Sequence, residues 1–454
     1  MKRREALQVL LAAFIPTPAL AAAPSVSTLI GSGKPGYSDQ EVNNPYGLLF
    51  GPDRALYFCD LENQRIRRLD LKTRRTTAVA GDGKRAYLGD GGPATVGSLN
   101  MPHEIQFDAR GNLYIAERDN HVVRKVDAKT GVISTLAGTG VAGFSGDGGA
   151  ANQAQLRQPH SIAIDPSGQL LICDIGNLRI RRVNLSTGSI ETLAGTGERQ
   201  PTPDGAALKG APLNGPRTIA FDRNGDLYLA LREGNAIYRI DPKSATIHHI
   251  AGTGEQGYAG DGGAARAAKL GGPKGLAYSN GQLYVADTEN HVIRRINLKT
   301  GVITTVLGTG VRGDGPEPDP RLCKLSRPHG VFVDVGPVQR DHDLRAPADD
   351  IRDPVGEQRP HVQAAVAQQP VHLFDRVLGV QPVHLGQARA NRVDRQRDGI
   401  HHAEHGIRQR LDSLGVQAFA GHPVDQAAGP FDGDHVAVHA DKNDLYFANV
   451  PALL

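Results

Sequence analysis

A proline recurs at intervals of 57 residues along much of this 454-residue chain. The prolines that open these units are Pro45, Pro102, Pro159, Pro216 and Pro273, and Pro328 follows after 55 residues. A fixed period of this length indicates a repeat architecture, in which each unit buries its apolar face against its neighbours.

The second unit shows what one repeat contains. Residues 105–107, 113–116, 122–126 and 132–136 are short apolar runs rich in β-branched side chains, and Gly, Asn or Asp residues separate them. This pattern predicts four short strands joined by tight turns. Four antiparallel strands per unit are typical of a propeller blade, and closing the blades into a ring protects the sheet edges.

The amino-acid sequences of the units resemble those of the NHL-repeat family over residues 26–334. The segments LYIAERDNHVVRKVD, LLICDIGNLRIRRVN and LYVADTENHVIRRIN share an aliphatic–acidic–Asn–basic core. The loops LAGTGVAGFSGDGGAA and IAGTGEQGYAGDGGAA resemble the subgroup with Gly-Asp-Gly-Gly blade linkers. The resemblance implies an all-β propeller and leaves function open, because the family includes both binding scaffolds and lyases.

Counting the units leads us to expect a six-bladed β-propeller of four-stranded NHL-type blades over residues 24–334. Five units are complete, and a sixth begins at Pro328. Residues 26–30 match the fourth strand of a blade but precede the first unit, so we expect this N-terminal strand to close blade six.

The ends of the chain differ from the repeats. Residues 1–23 have a basic head, a short apolar stretch and small residues at Ala21–Ala23, which predicts an export signal and a periplasmic or secreted protein. Arg3 and Arg4 resemble a twin-arginine signal, and an ordinary secretory signal is the alternative. No other segment is apolar and long enough to predict a membrane span.

Residues 335–434 lack Lys, Thr, Tyr, Met, Cys and Trp, and all but eight belong to ten residue types whose codons can begin with G or C. Our hypothesis is that this anomalous low-complexity segment is the opposite-strand reading of a propeller gene. A disordered tail is the alternative. Residues 435–454 again resemble the first two strands of a blade.

Composition excludes some classes of partner. The net charge of +3 and the 22% of charged residues give no general attraction to nucleic acid. Cys59, Cys173 and Cys323 have no metal-ligand spacing, and we expect buried thiols. We also expect a monomer.

The residue after each opening proline begins the innermost strand, so in a ring these residues converge at the mouth of the central channel. We call them the rim residues: Tyr46, His103, His160, Arg217, Lys274 and His329. An acidic residue stands thirteen or fourteen positions further on in four of the six units, and Leu231 takes this place in the fourth. Each acid is expected beside the start of its own blade.

This arrangement suggests a divalent metal site, with Zn or Ca as the ion. His103, His160 and His329 would be the ligands, and Glu117 and Asp174 would orient the imidazole rings. Arg217 and Lys274 would then be catalytic candidates that hold an anionic substrate or stabilise a developing oxyanion. The alternative is that the acids bind backbone N–H groups or arginines such as Arg65.

Two functions follow from these observations. The first is a binding scaffold for a protein, glycan or small-molecule ligand on the loop face. The second is a metal-dependent lyase or lactonase at the channel mouth, similar to gluconolactonase-like propellers. The Gly-Asp-Gly-Gly loops are interpreted as structural turns between blades, because each offers a single carboxylate where Ca²⁺ needs several.

Overall fold

The computed structural model describes residues 25–313, 315, 319–334, 434–441 and 444–450. The predicted export signal and residues 335–433 of the anomalous segment lie outside the described residues. Among the described residues, no helix is long and apolar enough to cross a membrane.

Five blades follow the 57-residue template, each a four-stranded antiparallel meander. Blade one consists of β2 (Pro45–Phe50), β3 (Leu56–Asp60), β4 (Arg65–Asp70) and β5 (Arg75–Ala80). Blade two consists of β6 (Pro102–Phe107), β7 (Leu113–Glu117), β8 (Val122–Val126) and β9 (Ile133–Ala137). Blade three consists of β10 (Pro159–Ile164), β11 (Leu170–Asp174), β12 (Arg179–Val183) and β13 (Ile190–Ala194).

The last two blades follow the same plan. Blade four consists of β15 (Pro216–Phe221), β16 (Leu227–Leu231), β17 (Ala236–Asp241) and β18 (Thr246–Ala251), and the two-residue strand β14 (Ala206–Ala207) pairs with β18. Blade five consists of β19 (Gly275–Ser279), β20 (Gln282–Asp287), β21 (Val292–Asn297) and β22 (Ile303–Leu307).

The expectation of a six-bladed ring is wrong, because the described residues form five blades. Among the described residues, the sixth unit contributes β23 (Val331–Asp334) at the position that the repeat predicts. The alternation of β-branched runs and turn residues ends there in the sequence. β23 pairs with β24 (Asp434–Asp441), β24 with β25 (Asp444–Val450), and β25 with β1 (Ser25–Gly31). Three separate segments therefore form this remaining sheet, which does not repeat the continuous meander of the blades.

Short 3-10 turns complete the described secondary structure. They are Leu61–Asn63, Ala94–Val96, Ala151–Gln153, Ile175–Asn177, Leu208–Gly210, Ala265–Ala267 and Thr288–Asn290. The Gly-Asp-Gly-Gly linkers lead into several of them. Gly89 has φ +94°, and a Cβ there would lie 2.5 Å from the Cα of Gly97, so both the backbone conformation and the close approach require glycine.

The hydrophobic core lies mainly between neighbouring blades. One cluster joins Leu171 and Cys173 of blade three to Ile219 and Leu229 of blade four, and all four side chains are buried. Cys59 and Cys323 are buried as well, as the sequence predicted. The first strands of successive blades contact one another, and β23 contacts both β19 and β2. Four of the rim residues lie in these inner strands, and Lys274 and His329 stand one and two residues before β19 and β23.

Candidate functional site

The opening proline of a blade pairs with the last residue of its second strand, as in Pro102 with Glu117. The register then shifts within the next two or three residues in blades one to four. Such an irregularity re-aims the following side chains. Both Arg217 and the next residue, Thr218, consequently line the central channel.

The structure brings four rim residues together as a row of rings. Tyr46 stacks on His329 with ring centroids 4.4 Å apart. Its other neighbour is His103, whose ring meets it edge-on at 4.3 Å. His103 in turn lies 4.4 Å from His160. The row crosses from the β23 sheet through blades one and two to blade three.

Lys274 extends this row into blade five. Its Nζ lies 3.0 Å from Nε2 of His329 and 3.2 Å from Oε1 of Glu289. The Oη of Tyr46 lies 3.2 Å from the same His329 nitrogen. Burial lowers the pKa of Lys274 to about 7, against the opposing effect of Glu289. Lys274 is therefore divided between its charged and neutral forms near neutral pH.

His103 and His160 are neutral at the same pH. Burial holds the pKa of each well below its usual value, and the nearby Arg217 acts in the same direction. Nδ1 of His160 lies 2.8 Å from the carbonyl oxygen of Gln158, so this nitrogen carries the proton and donates it. Nδ1 of His103 is buried and has no hydrogen-bond partner among the described residues.

Arg217 is the rim residue of blade four and is only 3% exposed. It makes no hydrogen bond or ion pair with any residue that the structure describes. Its side chain lines a cavity of about 240 Å³ that is formed by the inner strands. Tyr46 and His329 line the same cavity.

A second tier of channel residues lies next to the rim. Glu104, Ser161 and Thr218 line the cavity here, and glycines occupy equivalent places. Burial raises the pKa of Glu104 to about 7, and Arg217 opposes this rise. Sequence reasoning missed Glu104, although it is the one acidic residue among the positions that follow the rim residues.

The mouth is strongly basic around these buried groups. Burial raises the pKa of Tyr46, while Arg217, Arg327, Arg118 and Arg232 all lower it. Three of these arginines have acidic neighbours: Arg118 pairs with Asp119, Arg232 with Glu233 and Arg327 with Glu289. An anion at the mouth would therefore meet four arginines, of which Arg217 has no ion pair among the described residues.

The acids predicted to orient the histidines bind other groups. Glu117 accepts hydrogen bonds from Asn120 at 2.6 Å and from Arg124 at 3.2 Å. Asp174 accepts from Asn177 at 2.7 Å and from the backbone N–H of Arg157, also at 2.7 Å. These contacts match the structural alternative, in which the acids bind arginines and backbone groups.

The rim also differs from a three-histidine metal centre. Tyr46 stands between His103 and His329 in the row of rings. In the part of the chain that the structure describes, no group of three or more His, Cys, Asp or Glu side chains could hold a metal ion. The described residues do not fit a Zn or Ca centre, and metal binding stays a prediction.

The fold and its repeat define the class of this protein. The sequence profile of the NHL repeat matches residues 156–182, and that of the Teneurin NHL domain matches residues 245–324. These matches, together with the relatives described next, support an NHL-repeat family for this chain.

Curated relatives from plants and animals share the repeat region. The chain is 29% identical over 303 residues to Protein SUPPRESSOR OF QUENCHING 1, chloroplastic, of Arabidopsis thaliana. The alignment covers 64% of this chain and 28% of that protein. It is 27% identical over 313 residues to NHL repeat-containing protein 2 of Homo sapiens. This alignment covers 61% of this chain and 43% of that protein. The chain thus spans less than half the length of these relatives.

Solved structures agree on the fold alone. A protein of Bacteroides thetaiotaomicron described as an auxiliary nutrient binding protein superposes with a TM-score of 0.51 and 16% identity. The alignment covers 69% of this chain and 72% of that one. A structural genomics protein of unknown function from the same organism gives the same TM-score and identity, covering 68% and 70%.

Proposed function

We propose that this protein is an exported binding scaffold that receives its ligand on the loop face, at the mouth of the central channel. The observation that carries the proposal is the row of five rim side chains that runs from His160 to Lys274 beside a cavity of about 240 Å³. Tyr46, His329 and Arg217 line this cavity. Concave sites with a few convergent polar groups are the usual places where proteins bind small molecules.

The chemistry of the rim favours a small ligand over a protein or a glycan. His103, Arg217 and Lys274 are 3%, 3% and 6% exposed, so a large flat partner would not reach their polar atoms. The solved neighbour described as a nutrient binding protein is consistent with a scaffold that binds small molecules. The predicted export signal supports a periplasmic or secreted setting.

The metal-dependent lyase or lactonase stays an untested alternative. Its three proposed histidine ligands do not surround one point, and Glu117 and Asp174 are bonded to other groups. No observation of the described residues favours it over binding.

The proposal is tested by a ligand screen on the mature protein and on three variants of it. Sugars, short peptides and organic acids would be compared by thermal shift, and the ligands that bind would be titrated by calorimetry. Tyr46→Ala should weaken binding at least about tenfold, because Tyr46 lines the cavity and contacts both His103 and His329.

Two further variants make the screen specific. Tyr46→Phe keeps the ring stack and removes the hydroxyl group, so it separates packing from hydrogen bonding. His248→Ala changes a half-exposed histidine on the outer strand of blade four and should bind the ligand as the wild type does. A ligand that binds equally well to all three variants would place the site elsewhere and contradict the proposal.

A further inference from the structure

Arg217 differs from the other deeply buried arginines of the propeller. Arg67, Arg124, Arg181 and Arg294 each lie within 3.6 Å of a buried carboxylate. Arg217 is as deeply buried and has no ion pair among the described residues. A guanidinium group does not lose its proton in a protein, so this charge is retained.

An unpaired charge in this position is costly. Removing an ion from water costs several kcal/mol even after relaxation of the protein, and the cost is recovered only through a counter-charge with good geometry. Glu104 is the one carboxylate in the channel that acts on Arg217, and burial raises its own pKa to about 7. Part of the Glu104 population is therefore neutral, and the charge of Arg217 is incompletely balanced.

The residues that line the cavity indicate which kind of ligand could balance the charge of Arg217. Tyr46, Ser161 and Thr218, which carry hydroxyl groups, line it together with Arg217. Further along the channel the lining is apolar, with Leu49, Ala220 and Phe221 among the residues. A ligand that fills this space presents an anionic group at one end and a hydrocarbon body at the other.

We propose that the channel binds a small organic monocarboxylate, whose carboxylate pairs with Arg217 and whose hydrocarbon part lies along the apolar inner strands. This inference rests on the proposed function and specifies its ligand class. The planar guanidinium fork matches the two oxygens of a carboxylate. A single unbalanced charge also suits a monoanion better than a phosphate dianion.

The inference is tested with benzoate, its neutral analogue benzamide, and phenyl phosphate. Calorimetry and thermal shift would be run on the mature wild-type protein and on Arg217→Gln. Benzoate should bind and raise the melting temperature, while benzamide should bind at least tenfold more weakly. Phenyl phosphate should also bind more weakly than benzoate. Arg217→Gln should lose at least tenfold in benzoate affinity.

A matched control removes the same charge elsewhere. Arg110 is exposed in the turn between β6 and β7, so Arg110→Gln should bind benzoate as the wild type does. Arg217→Met should melt at a higher temperature than the ligand-free wild type, because it removes an unbalanced buried charge. A lower melting temperature for Arg217→Met would show that the folded protein already balances this charge, and would overturn the inference.

The other outcomes are equally decisive. Equal binding of benzoate and benzamide, tighter binding of phenyl phosphate, or unchanged benzoate binding by Arg217→Gln would each overturn the inference, as would no binding of benzoate to the wild type. If a different ligand still bound in a Tyr46-dependent manner, the proposed function would stand while the monocarboxylate inference failed. A ligand that ignores both Tyr46 and Arg217 would defeat the two together.

Discussion

Blade four differs from the other blades in the pair of buried side chains that joins its second and third strands. In blade two, Glu117 at the end of the second strand meets Arg124 on the third strand, and both side chains are fully buried. In blade four the equivalent residues are Leu231 and Tyr238, which are also buried. The strand register is the same, since Leu231 faces Ala236 as Glu117 faces Val122.

The comparison distinguishes two roles of the acidic residue that ends the second strand of a blade, such as Glu117. The backbone meander forms with either pair, so the ion pair does not determine the strand geometry. The acid also accepts the N–H of the loop that precedes the blade, as Glu117 does from Asn100. Blade four lacks this acceptor, and its mouth holds two buried oxygens without a hydrogen-bond partner among the described residues, Asn214 Oδ1 and Glu233 Oε2.

Blade four, which contributes Arg217, therefore also has buried polar atoms without a partner among the described residues. Sequences depart from local consistency mainly at functional sites. The four blades with a buried ion pair stabilise the ring, while blade four presents an unpaired charge to the channel.

The largest expected effect comes from breaking an ion pair in a paired blade. Arg124→Met leaves the carboxylate of Glu117 buried without its counter-charge, and we expect a loss of about 3–5 kcal/mol in the free energy of unfolding. Urea denaturation of the variant and the wild type measures this difference.

A double variant that copies blade four provides the control. Glu117→Leu/Arg124→Tyr should recover most of the lost stability, because an apolar pair of suitable volume can replace a buried ion pair at little cost. If the double variant is as unstable as Arg124→Met, the pair in blade two has a role that blade four does not need, and the comparison is misleading.

Much of this arrangement is predictable from the spacing of the repeats. The interval between prolines predicts all five blades and places the six rim residues at one mouth. It also predicts that each acid lies at the start of its own blade, which the pairing of Pro102 with Glu117 confirms. The count of six blades fails because β24 and β25 lie about a hundred residues beyond β23, where no repeat spacing can align them.

The contacts of the site are less predictable than its position. Position alone does not decide whether Glu117 turns toward His103 or toward Arg124, because both lie close to the end of β7. The outcome depends on the buried guanidinium, which needs a carboxylate more than a neutral imidazole does. Glu104 escaped notice because its role depends on a shift of register that the sequence does not display.

A smaller effect is expected inside blade four. The hydroxyl group of Tyr238 donates a hydrogen bond of 2.8 Å to the carbonyl oxygen of Thr202. Tyr238→Phe removes this bond and should cost about 1 kcal/mol of unfolding free energy, which urea denaturation can detect. A loss as large as that of Arg124→Met would mean that blade four depends on a polar contact as strongly as the paired blades do.

The smallest expected effect is a pH dependence of carboxylate binding that involves Lys274. Glu289, His329, Arg217, Arg232 and Arg327 are the charged or titratable groups that act on its ammonium group. A bound carboxylate nearby favours the protonated form of Lys274, whose pKa of about 7 then rises, so binding takes up protons.

Affinity for benzoate should consequently increase as the pH falls from about 8.5 to 6.5, by about two- to fivefold, the range that partly solvated charge pairs contribute. Calorimetry in buffers of different ionisation enthalpy measures the proton uptake directly. Lys274→Met should flatten the profile while it leaves the dependence on Arg217 intact. A profile that stays equally steep in Lys274→Met would assign the titration to another group of the mouth, and Glu104 would be the next residue to test.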